Sequence, residues 1–380
     1  MRRWAALTAT VLAGCTTTAL PEAVELAVVG PPVAAAETGQ GYIYRRPDIP
    51  DGYEGGGIMA QHWSMLGRED RAATADPAEY AVQRCPDSAG TAVGPAALDA
   101  IADRARDTRV VIVNESHVVT RHRDTTRRLL TRLRPLGYSH FAAETFSNRT
   151  DEQDPVERHA RLPYAHFESG YYSKEPVFGS LVEEAKRSRY TLKAYEEVST
   201  EQGRSDDMAT RIARREHAQA ENLAAILEAM EPDEKLFVHV GYAHADERET
   251  GKNVWMAARL KQLTGIDPLT IGQTICRGGG DTFRLLPMPR DGSAPFDYAL
   301  DHPVDGFRHG RAAWRFEKAQ AVPIPEPFAS ADEPLVIEAF RDGEPFDAVP
   351  EDRVYVEPGE DVRLALPPGR YSVRAVRLAD

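Results

Sequence analysis

Residues with acid–base chemistry recur at intervals through the middle of the chain, each time just after a short apolar run. Asn114-Glu115-Ser116-His117 follows Arg109 to Val113, and Glu144 follows His140 to Ala143. Glu196 and Glu197 close the run Tyr190 to Tyr195, and Gly241-Tyr242-Ala243-His244 continues Lys235 to Val240. A neutral imidazole near pH 7 can take a proton from water, and an adjacent carboxylate can hold its tautomer and stabilise the imidazolium that forms. His117 with Glu144 or Glu115 meets that need, and Arg215 or Arg123 can stabilise a developing oxyanion. No Gly-x-Ser-x-Gly occurs, which argues against a nucleophilic serine. Two histidines and several glutamates also suit zinc, manganese or iron, although no His-Glu-x-x-His is present.

The runs that carry these residues have the length of buried strands, and amphipathic helices separate them. Strands are predicted at 109–113, 140–143, 190–195, 235–240 and 269–273, and helices at 95–106, 121–134, 177–188, 206–230 and 252–264. This alternation gives an α/β class: a mainly parallel sheet flanked by helices. In such sheets ligands bind beyond the carboxyl ends of the strands, so the polar residues above are expected at one rim. The helix before the fourth strand carries Met208, Ile212, Leu223, Ile226, Leu227 and Met230 as an inward stripe, with Arg215, Gln219 and Asn222 on or beside that face. An inward arginine needs a strand-end glutamate or an anionic ligand.

Beyond residue 281, period-two patterning at 335–340, 353–356, 362–366 and 371–378, with Asp-Gly, Pro-Gly and Pro-Pro-Gly turns, predicts a small antiparallel β-sandwich-like module. At the other end Arg2 and Arg3 precede an uncharged stretch closing in Leu12-Ala13-Gly14-Cys15, the layout of a lipoprotein signal peptide with lipid of the palmitate type on Cys15. Thr16 in place of Asp favours the outer membrane, facing the periplasm. The expected organisation is a signal peptide over 1–15, a flexible tether over 16–42, the α/β domain over 43–290, a connecting segment over 291–332 and the β module over 333–380. Cys85 and Cys276 remain as an even pair that an oxidising compartment can bridge, two separate thiols being the alternative. A net charge of −13 argues against a nucleic-acid partner, leaving the membrane and a small-molecule ligand as expected partners.

Glu115-Ser116-His117 after a strand, His122-Arg123 on a basic helix, Gly137-Tyr138, Ala143-Glu144, Arg215-Glu216 with Asn222, and Val240-Gly241-Tyr242-Ala243-His244 together resemble the erythromycin-esterase-like and ChaN-like superfamily, Tiki-like proteins included, over about residues 95–275. The resemblance implies His117 as general base, Glu144 as its electrostatic partner, Glu115 as a supporting carboxylate and His244 as a second polar group. Arg123 matches a family arginine and, with Glu196 and Arg215, is expected to meet the substrate. The single residue between Glu115 and His117 is the spacing of the ChaN-like branch, associated with haem binding and uptake.

These observations leave three expectations. One is a hydrolase of ester-like or amide-like bonds that needs no cofactor, or a divalent metal in its metal-dependent form. Another is a haem- or iron-binding lipoprotein using Tyr164, Tyr171, Tyr172 or Tyr242. The third is a structural lipoprotein.

Overall fold

Val110 to Glu115 is buried at every position. A strand buried on both faces belongs at the centre of a parallel sheet covered by helices. The computed structural model, which describes residues 23–47, 56–85, 92–148, 155–198, 207–249 and 254–379, places it there. In chain order the elements start with β1 (Val24–Val28), β2 (Val33–Ala34), α1 (Gly56–Met65), α2 (Glu69–Ala75) and α3 (Pro77–Tyr80). Next come β3 (Ala92–Val93), α4 (Pro95–Arg104), β4 (Val110–Glu115), α5 (Thr120–Leu133), β5 (Tyr138–Ala143), α6 (Pro155–Arg158), α7 (Pro176–Arg187) and β6 (Thr191–Lys193). The α/β part continues through α8 (Met208–Ala229), β7 (Lys235–Gly241), α9 (Met256–Thr264), β8 (Leu269–Gly272), β9 (Arg284–Pro287) and β10 (Tyr298–Asp301). The chain closes with β11 (Phe307–Arg308), β12 (Arg311–Ala312), β13 (Gln320–Pro323), α10 (Glu326–Ala329), β14 (Leu335–Arg341), β15 (Asp352–Val356), β16 (Arg363–Leu366) and β17 (Gly369–Arg377).

Eight strands form one sheet in the order β3-β9-β10-β8-β4-β7-β5-β6. Every pairing from β10 to β6 is parallel, and β9 and β3 add an antiparallel edge. Side chains alternate between the faces with period two. Val111, Val113, Phe141 and Phe237 meet α4, α5 and α7. Val110, Ile112, Ala142, Val238 and Val240 meet α8 and α9. This parity decides where each functional side chain goes.

The boundaries differ from those expected. The sheet runs through β9 and β10 to Asp301, past residue 290, because the chain after β8 turns back to pair beside it. Part of the segment expected as tether is strand: β1 pairs in parallel with β17, Val24 opposite Gly369, and β2 also pairs with β17. The alternation of Val24, Glu25 and Leu26 explains it, since Val24 and Leu26 pack on the module core. The module's larger sheet, β1-β17-β14-β15, docks on α1 and α2 through Trp63, Leu66, Val336, Tyr355 and Val376, with Val118 and Val119 of the α/β part in the same cluster. Cys85 and Cys276 form a disulfide with Cα atoms 5.2 Å apart. Among the described residues no helix is long and apolar enough to cross a membrane, and Cys15 lies outside the described residues.

Candidate active site

Glu115 ends β4 on the face of Val111 and Val113, toward α5 and α7. There Arg123 of α5 donates from Nε to Glu115 Oε2 at 2.8 Å and from a terminal nitrogen to Oε1 at 2.9 Å. The other terminal nitrogen donates to Glu175 at 3.0 Å. Glu175 caps α7 by accepting the Val177 and Phe178 N–H groups, so its charge also sits at the positive end of the helix. His239, on the same face of β7, brings Nε2 to 3.4 Å from Glu115. Burial works to raise the Glu115 carboxyl, but Arg123, His239 and the hydrogen bond from His117 outweigh it and hold the group well below the usual carboxylate range. His117 places Nδ1 3.0 Å from Glu115 Oε1. An ionised Glu115 accepts a hydrogen bond from the His117 Nδ1–H, which fixes the tautomer and places the lone pair on Nε2.

Glu144 continues β5 with the opposite parity and faces α8. Its Oε2 accepts the Gly241 N–H at 2.6 Å, and its Oε1 pairs with Arg215. Arg215 also donates from Nε to Glu196 at 3.0 Å and lies 3.2 Å from His244 Nε2. Gln219 and Asn222 secure the same corner, donating to the Glu196 carboxylate and to the backbone of Tyr195 and Glu196. His244 sets Nδ1 2.6 Å from Glu216 Oε1, and Glu216 accepts the Met256 N–H. Burial works to raise Glu144, yet His244, His117, Arg215 and the Gly241 N–H together hold it at about 2. Burial lowers His244, but Glu216 and Glu144 outweigh it and raise its basicity.

The two halves meet over Gly241. A Cβ built on that glycine would lie 2.5 Å from His117 Nε2 and 3.0 Å from Glu144 Oε2. The His117 ring is stacked on Tyr172 at 3.9 Å and edge-on to Tyr242 at 5.1 Å. Tyr242 holds a positive φ of 41°, a strained conformation for a bulky residue, with its carbonyl fixed by the Asn114 amide at 2.6 Å. Glu144, Tyr171, Tyr172, Glu196 and Arg215 line an open cleft of about 310 Å³, at the small end for ligand sites. Its outer wall is the strap that follows α6, held where the Gly170 backbone presses on the Thr145 carbonyl and Ser173 N–H donates to Thr145 Oγ1.

Glu115, His117, Glu144, Glu196, Arg215 and His244 therefore converge as expected from the strand-end rule. Arg123 does not meet a substrate: its side chain is 1% exposed and fully engaged with Glu115 and Glu175, so it positions rather than binds. Arg215 is no vacant anion site, because two glutamates already share it. Met208 is 74% exposed rather than inward. Of the tyrosines weighed as iron ligands, Tyr171 and Tyr172 line the cleft and Tyr242 abuts His117, whereas Tyr164 neighbours Asp347 of the C-terminal part. Burial pushes the Tyr172 and Tyr242 phenols up to about 12, so both are neutral near pH 7. Each strand-end carboxylate is committed to a guanidinium, and a metal here would have to displace one.

The residues that sequence reading missed are His239 and Glu175, together with the roles of Glu216 and Gly241. Parity offered a signal for the first: His239 stands two residues from Phe237 and shares its face. Glu175-Pro176 is likewise a helix-start signature.

The fold and the site define an open-sheet α/β protein with a Glu–Arg–Tyr cleft at its carboxyl rim, beside His117 and His244. No protein-family model and no curated protein matches the chain, so the resemblance to the erythromycin-esterase-like and ChaN-like superfamily stands on its residues alone. Among solved structures the chain is similar to the type III effector HopBA1, with 13% identity and a TM-score of 0.39 over 58% of this chain and 100% of that one. It is also similar to ChaN of Campylobacter jejuni, described as binding haem cofacially, with 10% identity and a TM-score of 0.38 over 54% of this chain and 91% of that one. The RRSP effector domain of a MARTX toxin from Vibrio vulnificus gives 12%, 0.34, 70% and 46% in the same terms. TM-scores below 0.5 assign neither family nor activity.

Proposed function

We propose that the protein is a periplasm-facing, lipid-anchored hydrolase of ester-like bonds in which His117 activates water. The carrying observation is the chain Arg123–Glu115–His117, which fixes an ionised carboxylate on Nδ1 and leaves Nε2 as the base beside Gly241 and Glu144. Nε2 takes a proton from water as the new C–O bond forms at the substrate carbonyl. The leaving alkoxide takes a proton from the His117 imidazolium as its C–O bond breaks. Two glutamates already saturate Arg215, so the cleft favours a neutral or cationic substrate over an anionic one. The Cys85–Cys276 disulfide supports export to an oxidising compartment, and an acyl group on Cys15 of the mature chain is the corresponding mass-spectrometric expectation.

The test is hydrolysis of a panel of small esters and lactones by the soluble form beginning after Cys15, with His117→Ala beside it. Turnover that disappears in the variant supports the reading. Tyr171 and Tyr172 on the cleft wall favour haem or iron as the second reading. A haem absorbance band in the purified protein, with no turnover in either form, would replace the first by the second.

A further inference from the structure

Outside the cleft, the strap after α6 brings two imidazoles and a carboxylate together. His159 Nε2 lies 3.1 Å from Glu168 Oε2, and the three potential ligand atoms of His159, His166 and Glu168 fall within 4.8 Å of one another. The His166 tautomer is fixed from two sides. Its Nδ1 accepts the Glu168 N–H at 3.2 Å, a bond that a metal on this lone pair would displace, and its Nε2 stands 3.5 Å from Asp347 Oδ2. A metal-ligating histidine characteristically turns its other ring N–H to a carboxylate in this way.

The backbone around the cluster is held. His166 bridges Ala348, Phe167 N–H donates to the Asp347 carbonyl, and Val349 N–H donates to the Ala165 carbonyl. Lys186 Nζ donates to the carbonyls of His159 and Tyr164. The two rings are stacked with centroids 3.7 Å apart. Tetrahedral zinc holds its ligand atoms about 3.3 Å apart, from bonds of about 2.0 Å. Closing that difference takes rotation of His159 and of the half-exposed Glu168 side chain, and release of the Glu168 N–H from His166 Nδ1.

We propose that His159, His166 and Glu168 form a divalent-metal site of the zinc class within the strap, with Asp347 of the segment before β15 behind His166. Two imidazoles and one carboxylate match the donors of zinc sites that keep a fourth position for water, and imidazole donors disfavour magnesium or calcium. Because the strap continues into Tyr171 and Tyr172, occupancy would stiffen the cleft wall from outside the cleft.

The experiment is titration of the untagged full chain with zinc chloride against a chromophoric chelator at pH 7.5, with melting temperature read in parallel. One equivalent bound by the wild type and by His117→Ala is expected, with at least tenfold weaker binding in His159→Ala and in Glu168→Gln. Zinc should raise the melting temperature of the wild type but not of either strap variant, and metal-free melting of the variants shows that they fold. No zinc bound by the wild type, equal binding in either strap variant, or binding lost in His117→Ala overturns the proposal.

Discussion

Two groups of buried charges lie side by side in this molecule, and they are built differently. In the first, Arg311 and Arg315 divide Glu69 and Asp352 between them at 2.6–3.2 Å, all four at or near zero exposure apart from a slight opening at Arg315. Two cations balance two anions, and the Ala365 N–H and the Thr120 hydroxyl satisfy remaining lone pairs. In the second, Arg123 and Arg215 face five carboxylates, Glu115, Glu144, Glu175, Glu196 and Glu216, with His117, His239 and His244 among them. Arg215 is a third exposed at the cleft. The groups nearly touch, since Arg315 approaches Glu175 to 3.8 Å. Burial of ion pairs is common to both. Chemistry needs what only the second has: surplus negative charge, imidazoles to hold protons against it, and an opening to solvent.

The largest expected effect tests the second group. His117→Ala should lower kcat/KM for ester hydrolysis by about 10²–10⁴-fold, the usual worth of a positioned general base, and leave the melting temperature near that of the wild type. Retained turnover would break the comparison at its centre. The balanced group should show the reverse pattern. Asp352→Ala leaves two buried guanidiniums to share Glu69 alone and should cost about 3–5 kcal/mol of stability, read from urea unfolding, while the folded fraction keeps its turnover.

Next in size is the pH dependence of Glu144. Its folded value of about 2 lies below its ordinary 4.5, so the folded state binds fewer protons than the unfolded one in that window. The contribution is fully present above pH 4.5 and is lost as pH falls toward 2, about 3 kcal/mol at 1.4 kcal/mol per unit. Urea midpoints at pH 5, 4, 3 and 2.5 should fall more steeply for the wild type than for Glu144→Gln. Parallel curves would mean that Arg215 and His244 do not hold Glu144 ionised.

Much of the cleft was legible because local periodicity and the strand-end rule agree there. Strand β4 ends at Glu115 and β5 one residue before Glu144, while Glu196 and His244 follow the ends of β6 and β7 by three residues, and α8 brings Arg215 to Glu196 as its helical face requires. His239 was lost because a run such as Lys235 to Val240 reads as uninterrupted core, and only the register opposite Val113 shows that it points at Glu115. The region before Cys85 was opaque for a different reason. Its helices answer partners far along the chain: Arg68 pairs with Glu360 and Trp63 packs on Tyr355, so no local pattern reveals their buried faces. Strand β1 was hidden in the same way, its partner β17 being the last strand of the chain.

Two glycines sharpen the contrast with the smallest change available, a single methyl. At Gly241 φ is −81°, so alanine meets no backbone penalty, but its Cβ would come within 2.5 Å of the His117 ring. The ring must swing off Tyr172 and away from Glu144, and a displacement near 1 Å in a base costs about 10² in rate. At Gly179, inside α7, an added Cβ would meet Val349 Cγ1 at 2.6 Å, a contact between the α/β part and the segment before β15. Overpacking there costs about 1–3 kcal/mol. Gly241→Ala should therefore lose turnover with little loss of stability, and Gly179→Ala should lose stability while the folded protein keeps its turnover. Steady-state kinetics beside thermal melts separates the two outcomes, and an equal fall in both quantities for both variants would show that the cleft and the module interface behave as one unit.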